Sequence, residues 1–222
     1  ILTKANQALQ TLEKYKTVLD QALLNLTALE LEDLVTVLDV VTVLRRYEMV
    51  RRIQSEIERY IAELGTEGRL VRMQLEELVS EVADEISLVI RDYLAPGDNR
   101  TPETVRDILA SHDSEALMDP LTISRALGLA LSVSRALGLE AIPATLDAPV
   151  TPRGYRILRR KISRLPMPVV ENLVAHFLTL RRILEASTDD LDDVDGIGEV
   201  RARAIKEGLR RLREQVLLER RG

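Results

Sequence analysis

Residues 191–205 read LDDVDGIGEVRARAI. Gly196 and Gly198 flank Ile197, with Leu191 and Val194 upstream and Ala202 and Ile205 downstream. This spacing predicts a short helix, a tight turn and a longer helix whose apolar residues face inward. Glycine lets the backbone turn sharply and come close to a ligand with no Cβ in the way. The turn feeds a helix N-terminus, where unpaired amides and the helix dipole favour an anion such as phosphate. Arg201, Arg203 and Lys206 follow within two turns, in reach of adjacent phosphates. A glycine turn that only packs two helices fits the same string, but the apolar spacing and the basic second helix favour phosphate.

The arrangement resembles the helix-hairpin-helix motif, in which apolar-x-Gly-apolar-Gly precedes a small residue in the second helix. Such motifs often hold a monovalent cation on hairpin carbonyls, which here would be those near Asp192, Val194 and Ile197. A cation would also offset Asp195, which lies close to the phosphate path among Asp189, Asp190, Asp192 and Asp193. Asp189 and Asp190 are expected to follow Thr188 as cap and first turn of the short helix. A second, glycine-poor hairpin is expected just upstream, with Leu165-Pro166-Met167-Pro168 in place of the glycine turn. Its Arg153, Arg156, Arg159, Arg160, Arg164 and Lys161 either add non-specific phosphate contacts or form a solvated face. One Phe, five Tyr and no Trp argue against a stacking platform for single strands, so backbone and shape recognition is expected.

Working back from the hairpin, the chain is helical throughout. Leu12, Tyr15, Leu19, Ala22, Leu26 and Leu29 recur at spacings of three and four, the seam of a bundle helix. A second helix is expected over 32–64, with Leu34, Val37, Val41 and Leu44 on one face and Gly65 as its C-cap. A third, capped by Thr66, is expected to run unbroken to about Tyr93. Residues 95–102 (APGDNRTP) break the pattern. Pro102 then starts a short helix to about Ala110, and Asp119-Pro120 another to about Leu139. Within the latter, SRALGL occurs at Ser124 and again at Ser134, a local duplication rather than a solenoid repeat. Residues 140–152 (EAIPATLDAPVTP) lack helical periodicity and read as a linker. The fold expected is all-α: a long-helix spine over 1–139, the linker, and a tandem helix-hairpin-helix domain over 153–222.

Charge divides along the same line. Residues 1–150 carry 15 basic and 25 acidic side chains, and residues 151–222 carry 16 and 11. A basic terminal module on an acidic body suggests a polyanionic partner for the smaller part. Cysteine is absent, which excludes disulfides, zinc ribbons and thiol nucleophiles. Two distant histidines, His112 and His176, argue against a histidine-rich metal site. No phosphate-binding loop, dinucleotide fingerprint or nucleophile elbow is present. His112 sits beside Asp113 and Ser114, but sequence neighbours do not form a triad, and a loop or capping role is expected. Glu76, Glu77, Glu81 and Glu85 read as ordinary helix-surface charges. No catalytic residue or metal site is identified. No apolar run reaches the ~18 residues of a membrane span. The first residue, Ile1, enters helical sequence directly, so the chain reads as a piece of a longer protein.

Longer strings carry a wider resemblance. LTKANQALQTLEKYK, VRRIQSEIERYIAELGTEGRLVRMQLEEL, PRGYRILRRKISRLP and VDGIGEVRARAIKEGL occur in that order. The whole chain is similar to the C-terminal two-thirds of the DisA family of DNA integrity scanning proteins, only loosely so around residues 95–151. The resemblance implies an absent N-terminal diadenylate cyclase domain that condenses two ATP into cyclic di-AMP with a divalent metal. It further implies octamers assembled through that domain, DNA binding by the helix-hairpin-helix with preference for branched forms such as Holliday junctions, and suppression of synthesis by that DNA. A cytoplasmic, nucleoid-associated protein of bacterial DNA damage and repair follows from the same likeness. The cyclase motifs Asp-Gly-Ala and Arg-His-Arg do not occur in this sequence. No enzymatic activity and no cofactor are therefore expected of this chain beyond the hairpin cation. An oligomerising helical scaffold without DNA contact stays open as the alternative.

Overall fold

Hydrophobic seams of three-four spacing build most of this molecule, and the computed structural model describes residues 1–94, 97–128, 145–162 and 165–219. Two long helices, α1 (Leu2–Glu32) and α2 (Val37–Leu64), lie against each other as an antiparallel pair. The seam of α1 is Ala5, Leu9, Leu12, Leu19, Leu23 and Leu26, all buried. Tyr15, expected in that seam, is 40% exposed. Leu34 is likewise exposed rather than on the face of α2, because α2 starts only at Val37. The Asp39 carboxylate sets that start by accepting from the Thr36 amide (2.8 Å) and hydroxyl (2.6 Å).

Gly65 closes α2 as expected, but the chain then makes a 3₁₀ turn, Gly65–Gly68, and Thr66 caps nothing. The single third helix expected to Tyr93 is two: α3 (Arg69–Val79) and α4 (Val82–Tyr93). Glu81 adopts a left-handed conformation (φ 67°) between them, and Ser80 donates back to the Glu77 carbonyl (3.1 Å). Three short helices follow: α5 (Pro102–Ala110), α6 (Ser114–Met118) and α7 (Pro120–Leu127). Thr101, Asp113 and Asp119 cap their first amides. Gly128 ends α7, while the second SRALGL copy lies outside the described residues.

The apolar faces of α1 to α7 enclose one core, which Val150 completes from the expected linker. The described part of that linker is pinned to the α1–α2 corner. Val37 and Leu38 donate to the carbonyls of Ala148 (3.0 Å) and Leu146 (2.9 Å), and Val150 donates to Val35 (2.9 Å). Beyond it come a π-helical turn, Ile157–Lys161, and four helices: α8 (Met167–Phe177), α9 (Leu180–Glu185), α10 (Thr188–Asp192) and α11 (Glu199–Glu219). They share a second core, to which α4 contributes Leu88. At its far end α11 buries Val216 against Ala28 and Leu31 of α1. Among the described residues there is no strand, and the fold is all-α.

Candidate nucleic-acid interface

The hairpin is built by residues close together in sequence. Ser187 caps α10: its amide and hydroxyl donate to the Asp190 carboxylate (2.8 and 2.6 Å), and the Asp190 amide returns a bond to its hydroxyl (3.1 Å). The cap thus lies one residue before the expected Thr188. Those bonds hold the Asp190 carboxyl below its usual range. After α10 the Ile197 amide closes the turn on the Val194 carbonyl (3.0 Å), and the Ala202 amide bonds Gly198 (2.9 Å) as α11 begins. Leu191, Val194, Ile197, Ala202 and Ile205 are all buried, so the spacing in the sequence is the inner lining of this unit.

The two glycines serve different purposes. Gly196 has φ +80°, a conformation that L side chains rarely adopt, and it sits over Val169 of α8. Gly198 has no such φ, and a Cβ added there would meet nothing within 4 Å. Asn172 of α8 anchors the turn by donating to the Asp195 carbonyl (2.9 Å). No pattern in the sequence singled out Asn172. The glycine-poor segment 165–168 leads into α8, so it supports the glycine hairpin from behind.

The basic side chains fall into three groups. Arg201 and Arg203 are exposed beside the hairpin; Arg201 donates to the Gly196 carbonyl and Arg203 pairs with Glu199. Lys206, half-buried, donates to the carbonyls of Leu184 and Ala186 at the end of α9. Arg153, also half-buried, stands 5.2 Å from the Tyr155 ring centre, which Arg91 approaches as well (4.3 Å). Arg159 is exposed and donates to the Leu165 carbonyl, Arg160 pairs with Glu81, and Lys161 is exposed. Arg164 lies outside the described residues. Asp189, Asp192, Asp193, Asp195 and Glu199 are exposed around the turn, so the hairpin is no simple positive patch.

Arg156 corrects the expectation. It was expected among the phosphate contacts, yet its side chain is 0% exposed. Its guanidinium donates to Glu30 (2.6 Å), Thr27 (3.0 Å) and Glu85 (3.0 Å). Tyr93 donates its hydroxyl to the other Glu30 oxygen (2.7 Å). Next to it, buried Asp92 accepts from the amides of Gly154 (2.8 Å), Tyr155 (2.7 Å) and Arg156 (3.0 Å). Burial and nearby Glu30 push the Asp92 carboxyl up to about 7 against the pull of those amides. Burial works against the charge on Arg156, but Glu30 and Glu85 outweigh it and raise its pKa. Glu85, read as a surface charge, is in fact a junction residue.

The histidines take no part in the hairpin. His112 bonds the Ile108 carbonyl through Nδ1 (2.7 Å) at the end of α5, and His176 is exposed, edge-on to Phe177 (4.7 Å between ring centres). Among the described residues no group of three His, Asp or Glu converges as a metal site, and no helix is long and apolar enough to cross a membrane.

The chain as a whole is similar to known proteins. A model of the DisA bacterial checkpoint controller linker region matches residues 1–136. The DNA integrity scanning protein DisA of Carboxydothermus hydrogenoformans is 56% identical over 215 residues, 97% of this chain and 58% of that protein. The protein of the same name from Symbiobacterium thermophilum is 56% identical over 220 residues, 99% of this chain and 58% of its own length. That of Bacillus subtilis is 50% identical over 222 residues, with the same coverage of 99% and 58%. The chain therefore spans a little over half the length of these relatives.

Proposed function

Because the chain belongs to the DisA family of DNA integrity scanning proteins, we propose that it is the DNA-sensing portion of such a protein, gripping backbone phosphates at the 193–198 hairpin. Gly198 carries this reading. Nothing in the described fold requires glycine there, since the backbone is ordinary and the space beside it is open. A glycine with no internal cause fits a position where an external ligand meets the backbone. The first amides of α11 lie next to it, and Arg201 and Arg203 supply flanking charge. A monovalent cation at the turn would take backbone oxygens of Asp192, Val194 and Ile197, neutralising Asp195 beside a phosphate.

On this reading the preferred ligand is branched DNA such as a Holliday junction. Synthesis of cyclic di-AMP from ATP belongs to a cyclase domain whose motifs this sequence lacks, and DNA occupancy here restrains it. The competing scaffold reading draws on Tyr15, Val18 and Leu24 of α1, which are 40%, 47% and 42% exposed. Fluorescence anisotropy against a labelled four-way junction, a matched duplex and a single strand separates the two. Tightest binding to the junction, with affinity falling steeply as salt rises, and a loss of at least about tenfold in a normally folded Gly198→Val variant support the DNA grip. Self-association with no DNA affinity supports the scaffold.

A further inference from the structure

The inward face of α11 is Ala202, Ile205, Leu209, Leu212 and Val216. Shifted by one residue runs a second stripe of the same three-four-three spacing: Arg203, Lys206, Arg210 and Arg213. These side chains share one side of the helix and spread over about 15 Å of its axis. They line an open groove of about 520 Å³ whose far edge is Leu184 and whose end is Leu217. Glu207 and Glu214 share the groove and both bond Arg210, at 2.8 and 2.6 Å. Arg213 is exposed and, among the described residues, has no carboxylate partner. The stripe is held rigidly, because Val216 is packed on α1 and Lys206 is tied to the end of α9.

We infer that this groove is a second phosphate-binding surface, taking a stretch of nucleic-acid backbone separate from the one at the hairpin; the inference rests on the DNA reading above. Arg213 lies fifteen residues beyond Gly198, about 22 Å along the helix. That interval is on the scale of a duplex's own width, so the Arg210–Arg213 end of the groove meets another backbone, while Arg203 stays beside the hairpin-bound phosphates. A row of three guanidinium forks, with the Lys206 ammonium among them, matches a chain of phosphates. An acidic protein partner is less well served, since the groove offers no aromatic anchor or closed apolar pocket.

Anisotropy titration of the whole chain with a labelled four-way junction tests this, with folding checked by circular dichroism. The Arg210→Gln/Arg213→Gln double variant weakens binding roughly tenfold and lowers the slope of log affinity against log salt by about two. The Glu207→Gln/Glu214→Gln double variant, which frees Arg210, tightens binding several-fold, a gain that loss of folding does not mimic. Unchanged affinity and slope in both doubles, with Gly198→Val still defective, overturns the groove and leaves the hairpin reading standing. Unaltered binding in all three variants overturns both. A labelled acidic peptide that binds the wild-type chain and is lost in the arginine double, while junction affinity is kept, also overturns the inference and assigns the groove to a protein.

Discussion

The buried junction at Arg156 and the exposed arginines beside the hairpin use the same chemistry for opposite ends. In the junction a fully buried arginine meets carboxylates at 2.6 and 3.0 Å, and its charge is spent on holding the first core to the terminal helices. At the hairpin Arg201 and Arg203 lie in solvent, bonded only to their own turn and helix, and remain exchangeable. An ion pair of the second kind contributes little to stability, whereas removing one partner of the first kind leaves charge buried and unpaired. Basic residues in one module therefore do not make one surface.

The sharpest test of this contrast is Arg156→Ala against Arg201→Ala. The first strands Glu30 and Glu85 and is expected to cost about 3–5 kcal/mol in urea unfolding. The second is expected to stay within about 0.5 kcal/mol while weakening DNA binding. Equal stability losses would break the contrast. Next in size is the pH dependence of the junction. Asp92 titrates near 7 in the fold and near the ordinary carboxylate range when unfolded. The folded state thus binds the extra proton between those values. The stability from Asp92 is fully present at about pH 4 and is lost as pH rises through 7. Denaturation midpoints from pH 5 to 8 should show this fall in the wild type and lack it in Asp92→Asn.

A smaller effect separates the two glycines. Gly196→Ala forces a side chain into φ +80° and is expected to cost about 1–2 kcal/mol. Gly198→Ala should be nearly silent in stability yet weaken DNA binding. A thermal melt and a titration on each variant measure both quantities. If Gly198→Ala proves the less stable of the two, the open space beside it has been misread.

Much of the molecule is legible in its sequence, and what is not depends on how its segments pack. The hairpin lining, the Pro102 and Pro120 helix starts and the Gly65 stop all follow from contacts within a few turns. Tyr15 faces solvent because three-four spacing alone does not say which of two adjacent stripes faces inward, and Leu34 because it precedes the Thr36 cap that starts α2 at Val37. The break at Ser80–Glu81 left no glycine or proline to announce it. It separates α4 from α3 where Glu81, Glu85 and Asp92 reach the terminal module.

The sequence by itself determined the all-α class, the apolar frame of the hairpin and the presence of a glycine turn, since each depends on periodicity or local backbone geometry. Tertiary structure alone decided which arginines are left for a ligand. Arg156 is bound by Glu30, 126 residues away in the chain, and Arg213 is left exposed beside a groove. A guanidinium fork fits carboxylate and phosphate alike, whatever its position in the chain. Only the packing of distant helices sets which anion it meets and whether water is present to weaken the bond.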